Sequence, residues 1–204
     1  MIKALDFEGK GTASDVLTGI QWIADNCKKY NIRILNMSIG AGITNTKDPL
    51  VRAAEILWDM GIVVVAAAGN NGPQKGTISS PGISKKIITV GSADDINVPE
   101  NDIGKSYSGR GPTKACVCKP DIVAPGCGII SCCNEPGHYF IKSGTSMSTP
   151  LVSGAIALLL EKYPSMSNKD VKLRIRERAV DLGLPHNQQG WGKLDVKRLL
   201  ADEI

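Results

Sequence analysis

An α/β fold, with a parallel sheet and helices on both of its faces, is what this sequence predicts. Two observations carry the prediction. Apolar segments of strand length alternate with segments of helical period through the first half of the chain. One of them, residues 62–68, is apolar at every position, as in a strand covered on both faces. Strands separated by helices then pair in parallel through right-handed crossovers, and ligands of such sheets bind beyond the carboxyl ends of the strands.

The elements follow in order. Residues 2–7, from Ile2 to Phe7, read as a short first strand turned by Glu8-Gly9-Lys10-Gly11. Ser14 is the expected cap of a helix in which Val16, Ile20, Ile23 and Cys27 recur at helical spacing. Residues 32–37 read as the second strand, ending at Ser38-Ile39-Gly40. Asp48-Pro49 opens the next helix, with Asp as cap and Pro in the first turn, and Leu50, Ala53, Ala54 and Leu57 as its inner face. Gly61 stops it before the apolar strand 62–68. A further strand is expected at 87–91. Glu135-Pro136-Gly137 marks a hairpin turn between 129–133 and 138–142. A long apolar helix starts at Gly144-Thr145-Ser146 and runs to about Tyr163. Ser167 caps an amphipathic helix through Val171, Leu173 and Ile175, and 194–204 form a last one.

Composition narrows the classes. The chain has 204 residues, enough for one domain with a core, and 42% of them are hydrophobic, too many for a disordered chain. A net charge of +4, with no run of more than two Lys or Arg, gives no footprint for nucleic acid. No apolar stretch approaches the roughly 18 residues of a membrane span. Met1-Ile2-Lys3 leads into Ala4-Leu5-Asp6 without an apolar leader, so the cytoplasm is the default compartment. The six cysteines (27, 116, 118, 127, 132 and 133) show C-x-C and C-C spacings rather than the C-x2-C pairs of zinc sites, and are expected as reduced thiols.

Two loops carry candidate chemistry. Ser146 stands where a loop becomes a helix, its hydroxyl near unbonded N–H groups and the positive end of the helix dipole. That suits a nucleophile whose attack builds an oxyanion, although Gly-x-Ser alone also fits a capping serine. Asn70, after the apolar strand, fits an oxyanion donor or a turn residue.

Five blocks together resemble the subtilisin-like serine proteases (the subtilase, or peptidase S8, family). Gly144-Thr145-Ser146-Met147-Ser148-Thr149-Pro150 is similar to G-T-S-M-A-x-P, with Ser148 for the usual alanine. Val63-Val64-Val65-Ala66-Ala67-Ala68-Gly69-Asn70 resembles the oxyanion segment, and Asn36-Met37-Ser38-Ile39-Gly40 the N-M-S-[LI]-G strand end. Ser108-Gly109-Arg110-Gly111-Pro112 and Lys119-Pro120-Asp121-Ile122-Val123-Ala124-Pro125-Gly126 resemble S-S-R-G-P and K-P-D-[IV]-x-A-P-G. They stand in family order along nearly the whole chain. Gly72-Pro73 and the run from Thr77 to Ile83 are most similar to intracellular bacterial members.

The resemblance implies a three-layer subtilisin-like fold, incomplete at its N-terminus, in which residues 1–204 are the C-terminal part of a single peptidase domain. It implies Ser146 as nucleophile, Asn70 as oxyanion donor together with the Ser146 N–H, and Thr145 as an auxiliary oxyanion contact. Ser38, Ile39 and Gly40 would form one wall of the P1 slot, Ala67, Ala68 and Gly69 the other, and Ser79 would lie near its floor. With no acidic residue in these walls, the side chain accepted at P1 is expected to be uncharged and of moderate to large size. The family's D-[ST]-G and H-G-T-H-V-A blocks, which hold the catalytic Asp and His, do not occur in these 204 residues. His138 and His186 do not match them. The expected function is therefore serine endopeptidase, with the chain alone catalytically incomplete. The alternatives are a non-catalytic pseudoprotease binding module and one half of a split protease completed by a partner fragment. No cofactor is expected, and calcium at most as a weak site. Peptide or protein substrates are the expected partners, with self-association through the edge near Ile2 and Phe7.

Overall fold

The computed structural model describes residues 1–42, 47–94, 106–133 and 137–202. Helix α1 (Ala13–Asn26) leads into strand β1 (Ile34–Met37), helix α2 (Pro49–Asp59), and strands β2 (Val63–Ala67), β3 (Ile88–Ser92) and β4 (Ile122–Ala124). An antiparallel pair, β5 (Ile129–Cys132) and β6 (Tyr139–Lys142), precedes helix α3 (Thr145–Lys162). Helices α4 (Asn168–Arg178), α5 (His186–Gln189) and α6 (Val196–Leu200) follow.

The strands β1-β2-β3-β4 form one sheet in that order, each neighbouring pair parallel. Every residue of β2, β3 and β4 is buried, as strands covered on both faces must be. Helix α2 packs on β2 and against α1, while α3 crosses all four strands and carries α6. The register sets Met37 beside Ala66, so Ser38 and Ala68 emerge at the same rim of the sheet.

Local chemistry explains the helix ends. Asp48 accepts from Leu50 N at 2.8 Å, and Pro49, which has no N–H to satisfy, occupies the first turn. Ser167 and Asp170 bond reciprocally across the first turn of α4. In α1 the cap is Thr12, not Ser14. Thr12 and Asp15 form the reciprocal box, because only Thr12 stands three residues before an acceptor that can reach back. Leu173, expected on the inner face of α4, is exposed, and Arg174 is buried beside Val171 and Ile175. The last helix is shorter than expected, ending at Leu200.

Residues 2–7 do not form the expected strand. Asp6 closes a turn instead, its Oδ1 accepting from Glu8 N and Lys10 N at 2.9 Å and its N–H donating to Lys10 O at 2.8 Å. A strand requires a partner for its ladder, and among the described residues β1 pairs only with β2. An apolar groove of about 890 Å³ runs along the free side of β1, lined by Ile2, Leu5, Ile20, Trp22 and Leu35 among others. The open edge therefore belongs to β1, and the segment from Ile2 to Phe7 only borders it. The expected β5–β6 hairpin is present, while Glu135 and Pro136 of its turn lie outside the described residues.

Candidate active site

The rim of the sheet assembles the site from three loops. The first leaves β1 at Ser38. Asn36 Nδ2 donates to Ser38 Oγ at 2.9 Å, and Asn36 Oδ1 accepts from Ser153 Oγ of α3 at 2.9 Å, which fixes this strand end against the helix. The second leaves β2 through Ala68, whose N–H continues the ladder to Val90 O at 2.8 Å. Gly69 O then accepts from Gly109 N at 2.8 Å, so Ser108-Gly109-Arg110 braces this turn. The third enters α3 at Gly144.

Ser146 is the second residue of α3, and its N–H is among the first four of the helix, which have no acceptor within it. Its hydroxyl donates to Ser38 O at 3.0 Å and so points across the rim at the first loop. Pro150, four residues on, has no N–H to bond Ser146 O. Ser148, where alanine is usual in this motif, donates its hydroxyl to Ala124 O at 3.0 Å and is fully buried without an unmet bond.

Asn70 and Thr145 join the second loop to the third. Thr145 N–H donates to Asn70 Oδ1 at 3.0 Å, which forces the amide orientation: the oxygen faces the helix start and Nδ2 turns outward. Thr145 Oγ1 accepts from Gly69 N at 3.1 Å and donates its single hydrogen to Asn70 Oδ1 at 3.1 Å. Thr145 is fully buried with its hydroxyl committed on both sides. Its bonds hold Asn70 in place beside the start of α3. A Cβ at Gly144 would lie 3.0 Å from Asn70 Nδ2, and its φ of 148° also favours glycine.

Ser79 lies between the two walls. It is buried, its N–H bonds Ala68 O at 2.9 Å, and Asn71 Nδ2 donates to its hydroxyl at 3.0 Å. A Cβ at Gly40 would sit 3.4 Å from Ser79 Cβ, and one at Gly69 would overlap Ser79 Oγ. Ser38, Ile39 and Gly40 thus stand opposite Ala67, Ala68 and Gly69 with Ser79 at the base between them. Asn71 was not anticipated from sequence. An asparagine beside the oxyanion candidate was the only signal, and its bond to Ser79 exists only once the loop has folded back.

The two histidines are elsewhere in the chain's architecture. His138 is exposed beside the hairpin, its carbonyl accepting from Cys133 N at 3.3 Å, and His186 is the exposed first residue of α5. Among the described residues no three His, Cys, Asp or Glu side chains gather as metal ligands. The rim thus brings a serine hydroxyl and an asparagine amide together at one end of the sheet, beside two stretches of backbone.

Known proteins share this arrangement of blocks. The model of the Subtilase family, Peptidase_S8, matches residues 1–192. The chain is 41% identical over 197 residues to serine protease AprX of Bacillus subtilis (strain 168), covering 84% of this chain and 44% of that protein. It is 36% identical over 185 residues to subtilisin DY of Bacillus licheniformis, covering 89% of this chain and 61% of that one. It therefore spans about half the length of these curated relatives. Among solved structures, sphericase superposes with a TM-score of 0.72 at 32% identity, over 86% of this chain and 58% of the other.

Proposed function

This chain belongs to the Subtilase family, and from that premise we propose that it serves serine endopeptidase chemistry, with Ser146 as the nucleophile and Asn70 Nδ2 as an oxyanion donor. One observation carries the reading: the bonded chain Gly69 N–H to Thr145 Oγ1–H to Asn70 Oδ1, which commits the amide oxygen to the helix start and leaves Nδ2 as a donor beside Gly144. Attack by Ser146 Oγ on a carbonyl would place negative charge between Asn70 Nδ2 and the Ser146 N–H. Donors fixed in advance at that point stabilise the transition state without reorganising. The Ser146 proton needs a base, and Ser38 O, its present partner, is a carbonyl that cannot take it. By itself, then, the chain binds peptides and does not turn them over.

Uncharged P1 side chains of moderate to large size suit a slot with walls of backbone, Ile39 and alanine and with Ser79 at its base. The check is direct. Peptides with P1 Phe or Leu should bind the chain in a titration calorimeter more tightly than P1 Arg peptides, and Ser79→Gly should shift the preference to larger side chains. Hydrolysis of peptide anilides should be undetectable. Preferential binding of P1 Arg peptides overturns the slot reading, and turnover lost in Ser146→Ala overturns the incompleteness.

Two finer readings belong with this proposal. The six cysteines carry no disulfide, which supports residence in a reducing compartment such as the cytoplasm. The open edge of β1 and the apolar groove beside it support self-association, now through β1 rather than through the segment from Ile2 to Phe7.

A further inference from the structure

Two lysines converge on one buried carboxylate at the amino ends of β3 and β4, away from the rim that holds Ser146. Lys119, fully buried, donates to Asp121 Oδ2 at 2.5 Å and to Ile87 O at 3.0 Å. Lys172, on α4, donates to the carbonyls of Lys85, Lys86 and Ile87 at 2.9–3.0 Å and stands 3.6 Å from Asp121 Oδ1. The rings of Trp58 and Trp191 flank its ammonium at 5.7 and 5.9 Å. Asp121 Oδ2 also accepts from Thr89 N at 2.7 Å.

The nearby carboxylates of α2 are committed elsewhere. Asp59 holds Lys86 at 2.7 Å, and Glu55 accepts from Ser84 Oγ at 2.6 Å. One buried negative charge is thus shared by two positive ones. A buried ion without its own counter-ion is expensive, so one ammonium is disfavoured. Lys119 has the short contact to Asp121, so Lys172 is the one poised to release its proton. Its side chain keeps 17% exposure, a path by which the proton reaches water.

We propose that Lys119, Asp121 and Lys172 form a proton-sensitive clamp between α4 and the base of the sheet, which tightens when Lys172 becomes neutral on the alkaline side. The neutral amine keeps two N–H donors for the three carbonyls while its repulsion with Lys119 disappears. Burial, assisted by the charge of Lys119, pushes Lys172 down to about 8 from the ordinary lysine value of 10.5. Burial also lowers Lys119. In the window from about 8 to 10.5 Lys172 is therefore more protonated in the unfolded chain than in the folded one, and its contribution to stability rises with pH. Cys118 opposes this: burial raises its thiol above the ordinary 9.0, so its contribution is lost as pH climbs past that value.

Denaturant unfolding of the chain and of Lys172→Met, both carrying Cys118→Ser, tests the clamp. Between pH 8 and 10 the unfolding equilibrium constant of the Lys172 protein should fall by at least about tenfold, and that of Lys172→Met, which keeps only Lys119, should fall clearly less. Equal pH slopes in the two proteins overturn the proposal. Should Lys172→Met not fold, an NMR titration of the lysine Cε–Hε resonances in the unsubstituted chain decides. A Lys172 midpoint near 8 supports the clamp, and one above 10 refutes it.

Discussion

Thr145 shows how one hydroxyl can organise a site. It accepts from Gly69 and donates to Asn70, so a single buried oxygen ties the loop after β2 to the start of α3. Thr145→Val keeps the shape and removes both bonds, leaving Gly69 N–H without its acceptor. A buried unsatisfied donor costs about 1–3 kcal/mol, so the variant should unfold at correspondingly lower denaturant, while Thr145→Ser should recover most of the loss. A Thr145→Val protein as stable as the original would mean that the relay is not made. Ser148 makes the complementary point. Its hydroxyl is accommodated because Ala124 O is within reach, so a departure from the usual alanine carries no unmet polar group.

The elements form where local and tertiary signals agree. Helix α2 is the clearest case: a side-chain cap, proline in the first turn, and Leu50, Val51, Ala54, Leu57 and Trp58 buried along one face. Asp48→Ala should lower stability by roughly 1 kcal/mol, read as a shift of the unfolding midpoint, and Asp48→Asn should restore it. No difference between Asp48→Ala and the original would show that the cap bond is not formed. The segment from Ile2 to Phe7 is the opposite case. Its composition suits a strand, but Asp6 bonds locally in a turn and among the described residues no ladder partner pairs with it. Phe7 is left 89% exposed as a result.

At the scale of the whole fold, the sheet formed by the described residues ends asymmetrically. On one side β3 receives β4, and on the other β1 leaves its outer backbone groups facing a groove bordered by the exposed Trp22, stacked on Tyr30. Such an edge is a template for another chain. Light scattering on a size-exclusion column should find a species larger than a monomer, and Trp22→Lys, placed on the exposed rim, should shift it toward monomer. A monomer at all concentrations, with hydrogen exchange at residues 34–37 fully protected, would refute association through this edge.

Much of this was written in local pattern. The caps Asp48 and Ser167, the uninterrupted apolar strand β2, the β5–β6 pairing and the residues at the rim (Ser38, Gly69, Asn70, Ser146) follow from spacing, turn chemistry and motif. These depend on neighbours in the chain, and a sequence records neighbours. Other features depend on groups brought together from distant positions. Strand β4 is three residues long, lies inside a motif, and is defined by its pairing with β3. Whether residues 2–7 pair is a matter of what lies across from them. The bond from Asn71 to Ser79, the relay through Thr145, and the meeting of Lys119 with Lys172 over Asp121 join residues whose separation along the chain says nothing of their contact. Hydrogen bonds and buried charges act over a few ångströms, so only the tertiary structure decided them.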